Sequence, residues 1–223
     1  MDSVAGMDDK TRPPLSKTAY VLERMREDIA VGAIVPGQSL KQTDLAARYG
    51  VSPTPVREAL RLLEADGSIS YSPHRGATVP EMDKARVRDL YLLRATMESL
   101  ATRLAVERLT DESTIKNVQR LHQELLRQRT DLKPADMFRM NRALHFAIYS
   151  SGSPTITEHI GSLWRLLPES ATLWSQPQVA EVLVAQHGSI IAAMVDRDAG
   201  AAAAFMYEHV MTAGRVREDL ADG

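Results

Sequence analysis

Between residues 16 and 80 a glycine or a proline interrupts the chain every few residues: Gly32, Pro36-Gly37, Gly50, Pro53, Pro55, Gly67, Pro73 and Gly76. Proline removes a backbone donor and fixes φ, while glycine tolerates left-handed backbone, so such positions bound elements rather than extend them. Only short elements fit in this stretch. Beyond Pro80 the interruptions thin out, and apolar patterns of helical period run to about residue 220. The chain is expected to divide into a small N-terminal unit at 16–80 and a larger helical unit at 84–220. Residues 1–15 are polar, contain Pro13 and Pro14, and read as a flexible arm.

Local signals place the elements. A first helix is expected over 16–31, capped by Ser16, with Ala19, Leu22, Met25 and Ile29 on its apolar face. A second covers 42–49 and is stopped by Gly50. Ser52 followed by Pro53 is a cap with proline at the first helical position, and the third helix runs to Ala65 with Val56, Ala59, Leu60 and Leu63 as its buried stripe. Ile69–Tyr71 and Ala77–Val79 read as two short strands around a tip loop at 72–76. Three helices and a hairpin make a winged helix-turn-helix, whose third helix can enter a major groove. Six helices follow, at 82–108, 111–129, 134–150, 153–168, 177–195 and 198–219. Aspartate and glutamate at 111 and 112 are expected in a first turn, and Ser153-Pro154 repeats the cap-then-proline pattern. The expected fold class is mostly α: an N-terminal winged helix-turn-helix and a C-terminal all-helical bundle.

Composition removes several alternatives. Hydrophobic residues at 44% and charged residues at 25% are ordinary globular values, and 5% aromatics argue against an all-β domain. With no cysteine there is no disulfide, thiolate metal site or cysteine nucleophile, which fits a cytoplasmic protein. The N-terminus lacks a basic region followed by an apolar stretch, and no apolar run is expected to span or partner a membrane. With 27 basic and 29 acidic residues the net charge is −2, so any nucleic-acid contact has to be local.

That contact is expected where the third helix begins. Ser52, Thr54, Arg57 and Arg61 lie on or near its exposed side, and its first N–H groups can meet a phosphate. Arg57 suits a phosphate or a guanine edge, and Arg75, beside His74 at the wing tip, suits a phosphate. The alternative is that Arg57 and Arg61 pair with Glu58, Glu64 or Asp66 on a solvated face. The run Val51-Ser52-Pro53-Thr54-Pro55-Val56-Arg57-Glu58-Ala59-Leu60, followed by Leu63-Glu64-Ala65-Asp66-Gly67 and Arg75-Gly76, resembles the GntR family of bacterial transcription regulators. The resemblance implies DNA binding as a homodimer, base or phosphate contacts by Ser52, Thr54 and Arg57, and wing contacts by His74 and Arg75. Pro53 stands where that family commonly has an arginine that contacts bases.

In the helical unit Asn141 and His145 share one face of a helix at i,i+4 spacing, and His187 and His209 lie on two later helices. Three imidazoles converging in a bundle suit Zn, Ni, Co or Mn, with one oxygen ligand completing the set; each histidine is equally readable as a core or surface residue. Arg94 and Glu98 are a second i,i+4 pair that reads as a surface salt bridge. His122 and His159 read as surface residues, and the methionines at 137, 140, 194, 206 and 211 as core fillers. This half of the chain resembles the FCD effector domain of FadR-like regulators, on Asn141-Arg142-Ala143-Leu144-His145, Gln186-His187-Gly188-Ser189-Ile190 and Glu208-His209-Val210. It implies a metal site at Asn141, His145, His187 and His209, with asparagine where aspartate is usual, and Arg94 as the clamp for an effector carboxylate.

The expected function is a sequence-specific DNA-binding regulator, a repressor released by a small organic acid bound in a metal-containing pocket. Its partners would be a double-stranded operator with an inverted repeat, a small carboxylate effector and a second copy of the chain. A regulator for which the metal ion is itself the signal, and a metal-dependent hydrolase, are the two alternatives.

Overall fold

The computed structural model describes residues 16–30, 32–72, 76–80, 83–128, 134–166, 171–174 and 176–220. The arm at 1–15 and the wing-tip residues His74 and Arg75 lie outside these.

The N-terminal unit contains α1 (Lys17–Ala30), α2 (Gln42–Tyr49), α3 (Pro53–Ala65) and the antiparallel pair β1 (Ser70–Ser72) and β2 (Gly76–Thr78). The Ser16 hydroxyl accepts the Ala19 N–H, as a capping serine should. Gly50 ends α2 in the left-handed region at φ 67°, ψ 35°, which turns the chain toward α3. Ser52 caps α3 by backbone position only; its side chain makes no capping bond and is exposed. Val56, Ala59, Leu60 and Leu63 pack with Val21 and Met25 of α1 and Leu45 of α2 in one apolar cluster. The strands lie one residue from their expected bounds and are edged by a bridge between Ser39 and Thr78. Together these elements form a winged helix-turn-helix. A buried Asp28 ties it together, accepting from the Tyr49 hydroxyl at 2.8 Å and pairing with Arg48 at 2.9 Å.

The C-terminal unit is a bundle of α4 (Lys84–Glu107), α5 (Ser113–Gln128), α6 (Pro134–Ile148), α7 (Pro154–Leu166), α8 (Ala171–Trp174), α9 (Pro177–Val195) and α10 (Ala199–Leu220). The single-turn α8 is absent from the sequence expectation. Asp111 precedes α5 instead of lying in its first turn, and its carboxylate caps the Ser113 N–H at 2.6 Å. α10 packs along α4 and beside α9, and α5 meets α6 and α9. Gly214 lets α10 approach α4, since a Cβ there would stand 2.8 Å from Tyr91 Cβ. Among the described residues α9 has the length and hydropathy to cross a membrane, contrary to the expectation that no such run exists. Its Leu183, Val184, His187, Ile190, Ile191 and Met194 are buried in the bundle core instead.

Candidate functional site

Three helices each bring one histidine to the middle of the bundle: His145 from α6, His187 from α9 and His209 from α10. All three are buried. His145 Nε2 lies 3.3 Å from His187 Nε2 and 3.1 Å from His209 Nε2. Four-coordinate zinc with bonds of ~2.0–2.1 Å holds its nitrogens about 3.3 Å apart, so the ring atoms already have ligand spacing.

The groups behind two of the rings fix which nitrogen carries the proton. His145 Nδ1 lies 2.8 Å from Glu98 Oε2. Burial alone would raise the Glu98 pKa, but Arg94 and the His145 contact overcome this and hold it at about 2. Glu98 is therefore ionised and accepts only, so His145 donates through Nδ1–H and turns its Nε2 inward. Gln186 does the same for His209. Its Nε2 donates to Thr212 Oγ1 at 3.3 Å, whose own proton goes to the Glu208 carbonyl at 2.8 Å. This directs Gln186 Oε1 to His209 Nδ1 at 3.1 Å. The His145 and His209 Nε2 atoms thus face each other across 3.1 Å. A neutral His187 can supply one N–H to this triangle, whereas a divalent cation satisfies all three nitrogens. Burial, reinforced by the neighbouring rings, pushes the pKa values of His187 and His209 well below the usual histidine range, which keeps them in the neutral, metal-binding form. The donor set fits a divalent ion.

Beside the triangle lies a cavity of about 450 Å³, counted out to its open mouth. Arg94, Asn141, His145 and His209 line it, together with Tyr91, Phe138, Trp164 and Trp174. Asn141 is buried on the same face of α6 as His145, and its Oδ1 has no hydrogen-bond partner among the described residues. The Arg94–Glu98 pair is not the surface salt bridge its spacing suggests: both side chains are buried, with Arg94 Nε donating to Glu98 Oε1 at 2.8 Å. Trp164 Nε1 and the Tyr149 hydroxyl donate to the same carboxylate at 2.9 Å each. The Arg94 guanidinium lies over the Trp164 ring, 4.1 Å from its centre.

Three contributors were not legible as such. Glu98 and Gln186 anchor His145 and His209, and the signal for Glu98 was the small residues Ala95, Ala101, Thr102 and Ala105 around it on α4, which mark a closely packed face. His122 is half-buried with its ring edge-on to His187 at 6.0 Å, not on the surface. His159 is exposed, as expected. Met137, Met194 and Met206 are in the core, and Met140 and Met211 pack against it.

On the N-terminal unit, Ser52, Thr54, Arg57 and Arg61 are all exposed along one end and side of α3. Arg57 and Arg61 both approach Glu58, at 3.6 and 3.5 Å, while Asp66 takes Arg26 at 2.7 Å. Such exposed pairs are weak enough to exchange for a phosphate.

Residues 17–79 match the family of bacterial regulatory proteins of the gntR type, and residues 89–212 match the FCD domain. The HTH-type transcriptional regulator McbR of Escherichia coli K12 is 33% identical over 151 residues, covering 67% of this chain and 68% of its own. The HTH-type transcriptional repressor RspR of the same organism is 29% identical over 203 residues, covering 88% and 86%. A solved structure of E. coli McbR/YncC superposes with a TM-score of 0.77 at 27% identity, covering 92% of this chain and 99% of that one.

Proposed function

Since the chain belongs to the GntR family of bacterial regulators and carries an FCD domain, we propose that it binds an operator through α3 and releases it when a small organic acid enters the bundle. Like its relatives it is a transcription regulator and not an enzyme. The observation that carries the proposal is that two of the three clustered imidazoles, His145 and His209, line the same cavity as the Arg94 guanidinium. Three neutral rings and the Asn141 amide add no charge, and Glu98 balances Arg94, so a divalent ion held there would leave two uncompensated positive charges for an anion to neutralise. His145, His187 and His209 would hold the ion, with Asn141 Oδ1 as a weaker oxygen donor, and the ion would supply a Lewis-acidic anchor for a carboxylate. Zinc, nickel and manganese all suit this set. The forked NH2 face of Arg94, not engaged by the Nε bond to Glu98, suits the other side of that carboxylate.

At the DNA end, Ser52, Thr54, Arg57 and Arg61 contact base edges and phosphates, and His74 and Arg75 of the wing contact phosphate. Without an arginine at Pro53, less of the readout is by hydrogen bonds to guanine. A homodimer gives the operator its inverted repeat. The exposed Leu92 and Leu100, with Leu93 beside them, occupy one arc of α4 and suit the contact between copies. The repressor RspR is consistent with release rather than activation as the output. Such a protein acts in the cytoplasm.

The test is retention of fragmented genomic DNA by the purified protein, followed by sequencing. A small set of fragments sharing an inverted repeat is expected. No enrichment by folded protein, with and without zinc, rules the DNA-binding reading out.

A further inference from the structure

We propose that the acid taken by this cavity is a monocarboxylate with an aromatic or similarly flat apolar body, and that the cavity selects against dicarboxylates and polyhydroxy acids. The inference rests on the effector reading above and narrows it to a chemical class.

The lining is divided by chemistry. Eight of its twelve residues are apolar or aromatic, and Arg94 is the only arginine or lysine among them. Tyr91, Phe138, Trp164 and Trp174 supply ring surface, and Leu173 and Leu183 fill in between. The polar groups are also largely engaged already. Trp164 Nε1 and His145 Nδ1 are bound to Glu98, and His209 Nδ1 to Gln186. What remains for a carboxylate is the Arg94 fork and an ion on the histidine Nε2 triangle, with single hydrogen-bonding groups at the Asn141 amide, the Tyr91 hydroxyl and Trp174 Nε1. The ion and Arg94 together accommodate one carboxylate.

A second carboxylate beyond the reach of the ion and Arg94 would lie against the rings and leucines, where the lining offers no further arginine or lysine. Each hydroxyl of a sugar acid would exchange water for the same walls, and a buried unpaired hydroxyl weakens binding by roughly tenfold or more. A flat apolar body meets the rings in offset or edge-to-face contact instead.

The chain has two tryptophans, and both line the cavity, so intrinsic fluorescence reads occupancy without a label. The experiment uses the full chain loaded with Zn²⁺, its content checked by metal analysis. It is titrated with benzoate, phenylacetate and mandelate against malonate, citrate and gluconate, with calorimetry in parallel. The aromatic acids are expected to bind at least about tenfold tighter than gluconate or citrate. Equal or tighter binding of malonate, citrate or gluconate overturns the class and leaves the acid pocket standing. No response to any acid with zinc bound overturns the pocket reading together with the class. In Trp174→Leu, accepted as folded if it retains zinc, the preference for phenylacetate over citrate should shrink severalfold. An unchanged preference removes the aromatic wall from the argument and overturns the proposal.

Discussion

A carboxylate with no exposed surface needs donors in place of the waters it has lost. Glu98 receives four, from Arg94, His145, Tyr149 and Trp164. Burial works against its ionisation and Arg94 works for it, and Arg94 prevails: the carboxyl is held at about 2. Removing the charge while keeping the shape tests that balance. Glu98→Gln leaves the Arg94 guanidinium buried without its counter-ion, which costs about 3 kcal/mol, and loosens the tautomer of His145, which lowers metal affinity about tenfold or more. Urea unfolding and zinc titration against a chelator measure the two effects separately. A loss in stability without one in zinc affinity would mean that Glu98 only supports the fold. The histidines give a second prediction. His187 and His209 are neutral in the fold, while in the unfolded chain they take up protons near the ordinary value of about 6.5. Below that pH the unfolded state binds more protons, so stability present above about 6.5 is lost as pH falls. For the metal-free protein the urea unfolding free energy should drop by roughly 2 kcal/mol between pH 7.5 and 5.5.

Helices meet where their smallest residues allow, and two glycines with opposite surroundings separate packing from propensity. Gly214 of α10 faces Tyr91 of α4, and an added Cβ would stand 2.8 Å from Tyr91 Cβ and 2.9 Å from Cγ. Those atoms are next to the backbone and cannot swing away. Alanine gains about 1 kcal/mol in helix propensity, but the forced separation of α4 and α10 costs about 1–3 kcal/mol. Gly214→Ala is therefore expected to lower the melting temperature and to displace a cavity wall. A Cβ added at Gly188 of α9 would meet no heavy atom within 4 Å, so Gly188→Ala should raise stability by about 0.5–1 kcal/mol. Equal shifts in the two variants would show that the α4–α10 approach is not constrained by Gly214.

Most element boundaries were readable from such residues. Gly50, Pro53, Pro134, Pro154 and Pro177 each begin or end a helix where expected. Short α8 has no periodicity to detect in four residues. The depth of Glu98 was hidden for a related reason: an i,i+4 ion pair looks the same on either face of a helix, and only the packing of α7 and α10 on α4 buries it. The four ligand candidates were found by spacing and resemblance, but Gln186 acts through contacts 23 and 26 residues away, beyond any local pattern.

For the whole molecule, the question is how an occupied cavity reaches α3, and α7 touches both ends. Trp164 lines the cavity and holds Glu98, and the next two residues meet the turn that closes α3. Arg165 Nε lies 3.9 Å from Asp66 Oδ2, and a Cβ on Gly67 would stand 3.3 Å from Leu166 Cδ2. Asp66 also holds Arg26 of α1 at 2.7 Å, so a shift of α7 is felt by two helices of the DNA-binding unit. The Arg165 pair is long and its side chain is 35% exposed, so Arg165→Ala should change stability by only about 0–1 kcal/mol. That makes it a clean probe of communication. Operator affinity is measured at fixed salt, with and without the acid that most perturbs tryptophan fluorescence. In the wild type the acid weakens operator binding, and linkage requires the operator to weaken acid binding by the same factor. In Arg165→Ala that factor should move toward one, while acid affinity of the DNA-free protein stays unchanged. A factor equal to the wild type would show that the signal bypasses α7 and runs through the covalent connection between Pro80 and the start of α4.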